Sequence, residues 1–254
     1  ESGTDHPGTA YDCGGDAGNV FYADTYFNST FDYGGIHRAL VATNTSAAYD
    51  VLINNTPQWD IVFIMVNTTM YGGTGGAFAT FSRHELSIEI AIHEIGHSFS
   101  GLADEYWFSG WETANMTQES NPLFNKWSPW LYDNGIGIYQ YESPGNNWYR
   151  PHQDCKMRYL GPPFCSVCAE KTIISVYSIL DPIDTYFPEN LELTVPASGI
   201  EYFSINPIPT VPSFITIDWF IDEQIINYGS TSIELEASLY SEGEHEVKVV
   251  VKDL

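Results

Sequence analysis

Residues 93–106 read His93-Glu94-Ile95-Gly96-His97-Ser98-Phe99-Ser100-Gly101-Leu102-Ala103-Asp104-Glu105-Tyr106. A helix brings positions i and i+4 onto one face, so His93 and His97 can present two imidazoles to one zinc ion. Glu94 stands beside the first of them and can take a proton from an activated water, then pass it to a leaving amine. Zinc at a hydrolytic centre takes three protein ligands and keeps one position open. Gly101 suits the left-handed turn that ends a helix and sends the chain back. The third ligand is therefore sought in Asp104 or Glu105. Asp104 is favoured, and Glu105 is left to accept a hydrogen bond from a ligand histidine or to anchor the loop. Tyr106 is read as a structural side chain.

The flanks make this more than a chance five-residue match. Ser82 followed by Glu85 has the pattern of a capping box, which predicts a helix over 83–99 with Leu86, Ile90, Ile92, Ile95 and Phe99 on its core side. Upstream, the apolar run 59–67 reads as a buried central strand, and 76–81 as a short strand after Gly72-Gly73 and Gly75-Gly76. That short strand lies just before the active helix, where an exposed strand could pair with an extended substrate. An earlier helix is expected over 35–55, closed by Pro57. Residues 1–19 read as loop, and Val20-Phe21-Tyr22 as the start of ordered structure.

Downstream, 107–164 is a long irregular region holding five of the seven Trp residues, and a loop of that length is functional or pinned. A second helix is expected over 166–180, after which Pro182 and Pro188 mark a boundary. The pattern then changes to alternation at 191–195, 215–219, 233–236 and 246–251. Short strands between Gly, Pro and Ser turns indicate a small all-β sandwich, read as an accessory domain. The expected fold class is α+β, with a catalytic domain over 1–183 and an immunoglobulin-like β-sandwich over 184–254.

Composition sets outer bounds. With 254 residues there is room for one catalytic core and a smaller second domain. A net charge of -24 should repel nucleic acid and anionic membranes. The acidity admits structural calcium sites, although no EF-hand loop is present. No apolar run reaches the 18 residues or more that a membrane helix needs. The chain begins at Glu1 without a signal-like segment, as a processed secreted protein or a trimmed fragment would.

Cys13, Cys155, Cys165 and Cys168 allow two disulfides in three pairings, and Cys165-Ser166-Val167-Cys168 could instead be half of a zinc site or a redox pair. Disulfides in an exported protein are the favoured reading. Asn28, Asn44, Asn54, Asn67 and Asn115 stand in glycosylation sequons.

The run from His93 to Tyr106 strongly resembles the IgA-peptidase family of secreted bacterial zinc metallopeptidases. So do Trp59-Asp60-Ile61-Val62, the stretch from Asn67 to Gly76, Cys155-Lys156-Met157-Arg158-Tyr159, and Phe164-Cys165-Ser166-Val167-Cys168. The resemblance covers roughly 10–180. It also looks like a variant of the metzincin group, in which a glycine and a third ligand follow the helix and a distant methionine turn lies beneath the metal. Here the glycine and the acidic ligand arrive one residue later than usual, and Ala103 stands where the common histidine would fall. The resemblance implies zinc on His93, His97 and Asp104, Glu94 as general base, and Met157 as the methionine beneath the metal. Tyr159, placed as in astacin-like metzincins, is implied as a stabiliser of the tetrahedral oxyanion. Cys155 with Cys165 or Cys168 could staple that turn to the final helix.

The implied activity is a secreted or cell-surface zinc endopeptidase acting on a protein or peptide. Two other readings stand beside it. One is a non-catalytic zinc protein that binds a surface, with cell-surface or carbohydrate contact through the β-domain. The other is an exopeptidase or cell-wall amidase.

Overall fold

The Asn44-Thr45-Ser46 cluster starts a helix instead of lying inside one. The computed structural model describes residues 24–107, 110–142, 146–210 and 215–253. The expectations for 1–19, for Val20-Phe21-Tyr22 and for Cys13 lie outside them. Two short strands, β1 (Ser29–Thr30) and β2 (Val41–Ala42), pair antiparallel. Helix α1 (Thr45–Asn55) follows, with the Asn44 side chain accepting from the Ala47 amide at 3.4 Å. Short polar side chains favour that position because they satisfy amides the first turn leaves orphaned. The helix expected over 35–55 therefore begins only at Thr45. Leu40 and Ala42 precede it and bury with Phe31, Ala48, Ile64, Val66 and Phe78.

The next sheet exchanges the expected roles of two strands. β3 (Phe63–Val66), β4 (Gly73–Thr74) and β5 (Ala79–Ser82) lie in the order β3-β5-β4. β3 runs parallel to β5, and β4 antiparallel. The run expected to be a central strand is thus at an edge among the described residues. Ile64 and Val66 point into the core while Phe63 and Met65 are 48% and 58% exposed. An apolar run does not reveal that alternate residues face out when an aromatic neighbour shelters them, here Phe81 edge-on to Phe63 at 5.7 Å. The strand expected to be open to substrate, β5, is paired on both sides, and β4 is the other edge of this sheet among the described residues.

Helix α2 (Ser87–Ser98) follows and packs on β5 and β4. It starts at Ser87 rather than 83, and the capping box does not form. Ser82 is the last residue of β5, aligned with Val66, and its hydroxyl accepts from the His84 amide at 3.3 Å. Sheet pairing has taken the residue that the local pattern assigned to the cap. Ile90, His93, Glu94 and Gly96 form the buried face, whereas Leu86 and Ile92, expected in the core, are exposed. The end is as expected. Gly101 adopts φ 63, and the Gly101 and Leu102 amides close on the His97 and Gly96 carbonyls at 3.1 and 2.9 Å.

The region after the helix is largely irregular; its described residues include a 3-10 turn at Ser128–Trp130 and the paired strands β6 (Tyr139–Gln140) and β7 (Tyr149–Arg150). Trp127, Met157, Cys155, Cys165, Cys168 and Leu102 share its core. Helix α3 (Ser166–Tyr177) begins where expected. The fold class is α+β.

The chain divides into two compact units, 1–175 and 176–254, and the boundary expected after residue 183 lies at the first residue of β8. The second unit holds β8 (Ile183–Phe187), β9 (Ile200–Pro207), β10 (Ile215–Ile221), β11 (Gln224–Tyr228), β12 (Ser232–Glu236) and β13 (Val247–Asp253). They form two antiparallel sheets, ordered β11-β10-β13 and β12-β9-β8. Ile205 and Ile233 from one sheet and Ile217 and Trp219 from the other join one apolar core. The strand expected at 191–195 does not form. β10 and β11 are joined through Asp222 and Glu223, both with positive φ (48 and 64), the backbone of a tight two-residue hairpin.

Candidate metal centre

His93 and His97 sit one turn apart on α2, and Asp104 returns to them after the Gly101 turn. The Asp104 Oδ1 lies 3.1 Å from the Nε2 of each histidine, and the two Nε2 atoms are 3.2 Å apart. A tetrahedral zinc with nitrogen and oxygen ligands at about 2.0–2.1 Å has edges of about 3.3–3.4 Å between them. The triangle is of that size.

The other nitrogen of each ring decides what these atoms can do. His93 Nδ1 lies 2.9 Å from the Lys156 carbonyl, and His97 Nδ1 lies 2.7 Å from the Leu102 carbonyl. A carbonyl accepts only, so each Nδ1 carries the proton and each Nε2 turns a lone pair inward. Two lone pairs and a carboxylate oxygen then face one another. A cation between them removes that repulsion, and fixed tautomers of this kind are how proteins orient metal-binding histidines. The residues fit zinc. Asp104 rather than Glu105 completes the triangle. Without a cation, a proton taken up on these Nε2 atoms can bond Asp104 instead; burial alone would raise the Asp104 carboxyl, but such bonds from His93 and His97 hold it far below the usual carboxylate range.

Glu94 lies on the same face, with a carboxylate oxygen within 4.8 Å of a nitrogen of each histidine. Burial pushes its carboxyl up, against the pull of His93 and His97 and a hydrogen bond from the Gly75 amide. A carboxylate made more basic by burial is suited to receive a proton. The Gly75 amide also fixes the glycine-rich segment that continues from edge strand β4 over the helix.

Met157 is fully buried under the motif. A Cβ added at Gly96, between the two histidines, would come within 2.5 Å of the Met157 sulfur and 3.3 Å of the Phe164 ring. Glycine there lets the methionine turn approach α2. The Glu105 amide donates to the Met157 carbonyl at 2.7 Å, which joins the ligand loop to the same turn. Lys156 is buried and pairs with Glu89 on α2.

No hydrogen bond joins Tyr159 to the triangle among the described residues. Its ring is half exposed beneath the Arg158 guanidinium, 4.8 Å from the ring centroid, and its hydroxyl has no hydrogen-bond partner among the described residues. Tyr106, read from sequence as structural, does contact the triangle. Its ring stacks on His93 at 6.3 Å, its hydroxyl is hydrogen-bonded to Asp104 and accepts from Arg38 at 2.9 Å. Burial first, and then the Asp104 charge, raise its phenol well above the ordinary value.

Two further residues carried no signal for their roles. Asn115 is fully buried. It accepts from the Ala103 amide and donates to the Ala103 carbonyl, both at 2.8 Å, and donates to Glu105 at 3.1 Å. It copies a strand partner for the ligand loop. As a sequon it was a glycosylation candidate, but an amide nitrogen with both donors used inside the core is no acceptor for a glycan. Tyr141 donates to the Asp104 carbonyl at 2.9 Å. The expected disulfides do not form among the described residues, where Cys155, Cys165 and Cys168 are buried free thiols. Cys155 and Cys168 Sγ are 3.7 Å apart, against about 2.05 Å in a disulfide. No helix is long and apolar enough to cross a membrane among the described residues.

The model of the IgA peptidase M64 family matches residues 12–134. That match takes in α2, Asp104 and the Asn115 clamp and stops before Met157 and Tyr159. No curated protein matches the chain.

Proposed function

The chain belongs to the IgA peptidase M64 family over residues 12–134 and is a metallopeptidase, and from that premise we propose a secreted, zinc-dependent endopeptidase of metzincin-like build. The observation that carries the reading is the triangle of His93 Nε2, His97 Nε2 and Asp104 Oδ1, with sides of 3.1 to 3.2 Å and with both Nδ1 atoms committed to carbonyls. When bound, zinc supplies Lewis acidity, which makes water acidic enough to attack near neutral pH and polarises the scissile carbonyl.

The chain's own residues supply the rest. An extended peptide lies along the glycine-rich segment that continues β4, past Gly73, whose amide already donates to the Arg38 carbonyl, and beside Gly75, which is bonded to Glu94. Glu94 takes the proton of the attacking water and carries it to the leaving amine. The carboxylate stays in place for both transfers because the Gly75 amide holds it. Asp104 is steadied by Tyr106, and Tyr106 by Arg38. Tyr159, on the turn that carries Met157, supplies its unengaged hydroxyl to the carbonyl oxygen as charge develops there. Extracellular location rests on the family resemblance.

The test is a cleavage profile on peptides blocked at both termini, run with purified zinc-loaded protein. Internal cuts that stop with chelation and return with zinc are the expected result. Cuts only in peptides with a free terminus would make the chain an exopeptidase. Intact peptides of both kinds would leave the reading of a non-catalytic zinc protein.

The two tyrosines separate by what they change. Tyr106→Phe is expected to weaken zinc binding by about 10–100-fold, the cost of removing an outer partner of a ligand. Tyr159→Phe is expected to leave zinc affinity unchanged and to lower kcat by about 10²-fold, the loss typical of one oxyanion donor. Zinc titration and steady-state kinetics on both variants decide, and a Tyr159→Phe enzyme of full kcat removes Tyr159 from the mechanism.

A further inference from the structure

A second group of ligand-type side chains lies apart from the histidines. Glu105, Cys155, Cys165 and Cys168 each offer one atom, all within 4.8 Å of one another and all on buried residues. They come from three separate places in the chain: the loop after α2, the methionine turn and the start of α3. We propose that these four residues bind a second, structural zinc-type ion, separate from the one on His93, His97 and Asp104.

The distances are those of a metal site and not of a disulfide. Four thiolate ligands at about 2.3 Å from a tetrahedral zinc stand about 3.8 Å from one another. Cys155 and Cys168 Sγ are 3.7 Å apart, and Cys168 Sγ is 3.2 Å from Glu105 Oε1. The hydrogen bonds point the same way. The Cys165 amide donates to the Cys155 sulfur at 3.3 Å, and the Cys168 amide donates to the Cys165 sulfur. Amides aimed at sulfur favour thiolates, as does the N-terminus of α3, where the Cys165-x-x-Cys168 pair sits.

A third observation concerns the carboxylate. Glu105 is fully buried, with Oε1 bonded to Asn115, while Oε2 is buried with no hydrogen-bond partner. A buried carboxylate oxygen without a partner is costly unless something cationic faces it. Four protein ligands leave no open position, so the site is structural rather than hydrolytic. Binding releases the thiol protons and involves no redox step.

Its position gives it a task. Glu105 follows the catalytic-site residue Asp104, Cys155 stands two residues before Met157, and the Glu105 amide is bonded to the Met157 carbonyl. An ion shared by Glu105 and Cys155 would lock the ligand loop and the methionine turn to α3.

The experiment uses the full chain and the His93→Ala/His97→Ala double variant, each loaded with zinc and, separately, with cobalt. Elemental analysis is expected to give two equivalents of zinc in the wild type and one in the histidine variant. The cobalt form of the histidine variant should retain the near-ultraviolet sulfur-to-cobalt charge-transfer band. A thiol-specific mercurial titrated into that variant should release its one zinc, so no cysteine need be mutated and folding is not at risk. Cys155→Ser/Cys168→Ser is expected to lose one equivalent and the band. The proposal is overturned if the histidine variant binds no metal, or if non-reducing peptide mapping finds a Cys155–Cys168 disulfide. The band depends on no cleavage assay, so it persists or fails independently of the peptidase reading.

Discussion

Glu94→Gln lowers kcat by about 10²–10⁴-fold, the contribution of a positioned general base, while zinc content stays at the wild-type value. Glutamine keeps the volume of the side chain and one carbonyl oxygen to accept from the Gly75 amide that now bonds the carboxylate. Only the basic lone pair is lost. Glu94 is not one of the three atoms of the ligand triangle, so its neutralisation leaves His93, His97 and Asp104 as they are. Burial already disfavours its charge, so removing that charge should not cost stability. The measurement pairs steady-state kinetics on a blocked peptide with zinc analysis of the same sample. Wild-type kcat in protein free of contaminating protease ends the general-base role. Loss of zinc would instead make Glu94 a ligand.

What was legible in the sequence is what short-range geometry decides. His93, Glu94 and His97 share a helix face because of the helical period, and Gly101 turns the chain back within a few residues, so Asp104 could be named. Gly96 held a signal for Met157: glycine inside a helix costs about 1 kcal/mol relative to alanine, which a close neighbour must justify. What was not legible depended on pairing between distant segments. Ser82 looks like a helix cap until β5 aligns it with Val66. β5 looks open until β3 and β4 are seen on its two edges. Asn115 looks like a sequon until Ala103 takes both ends of its amide. The cysteine spacing allowed zinc or disulfides, and only the approach of Glu105 and Cys155 to the Cys165–Cys168 pair makes a four-ligand group. Tyr106 follows Asp104 by two residues, but its stacking on His93 requires the loop to fold back.

Asp104→Asn removes one charge at nearly constant shape, and two consequences follow for the two forms of the protein. With metal, the triangle loses its only anionic corner, so zinc affinity falls by more than the about 10–100-fold that an outer-partner change costs, and peptide cleavage falls with it. Without metal, the change appears as a pH dependence. In chelated wild-type protein, burial alone would push the His97 imidazolium down, but the Asp104 hydrogen bond and charge, with Glu94, lift its pKa from 6.5 to about 9. A pKa raised on folding contributes stability that is full below the unfolded value and fades as pH rises through the folded one. Chelated wild-type protein should therefore lose thermal stability between about pH 6.5 and 9 from this group. Chelated Asp104→Asn should lack that slope, because the group that raises His97 is neutral. Zinc-loaded wild type should lack it too, since a ligand histidine is already deprotonated on the metal side. Thermal melts of the three samples across that range test this. A chelated wild type whose Tm is flat there would mean that Asp104 and His97 do not share a proton when the ion is gone, and that the triangle does not hold its shape without metal.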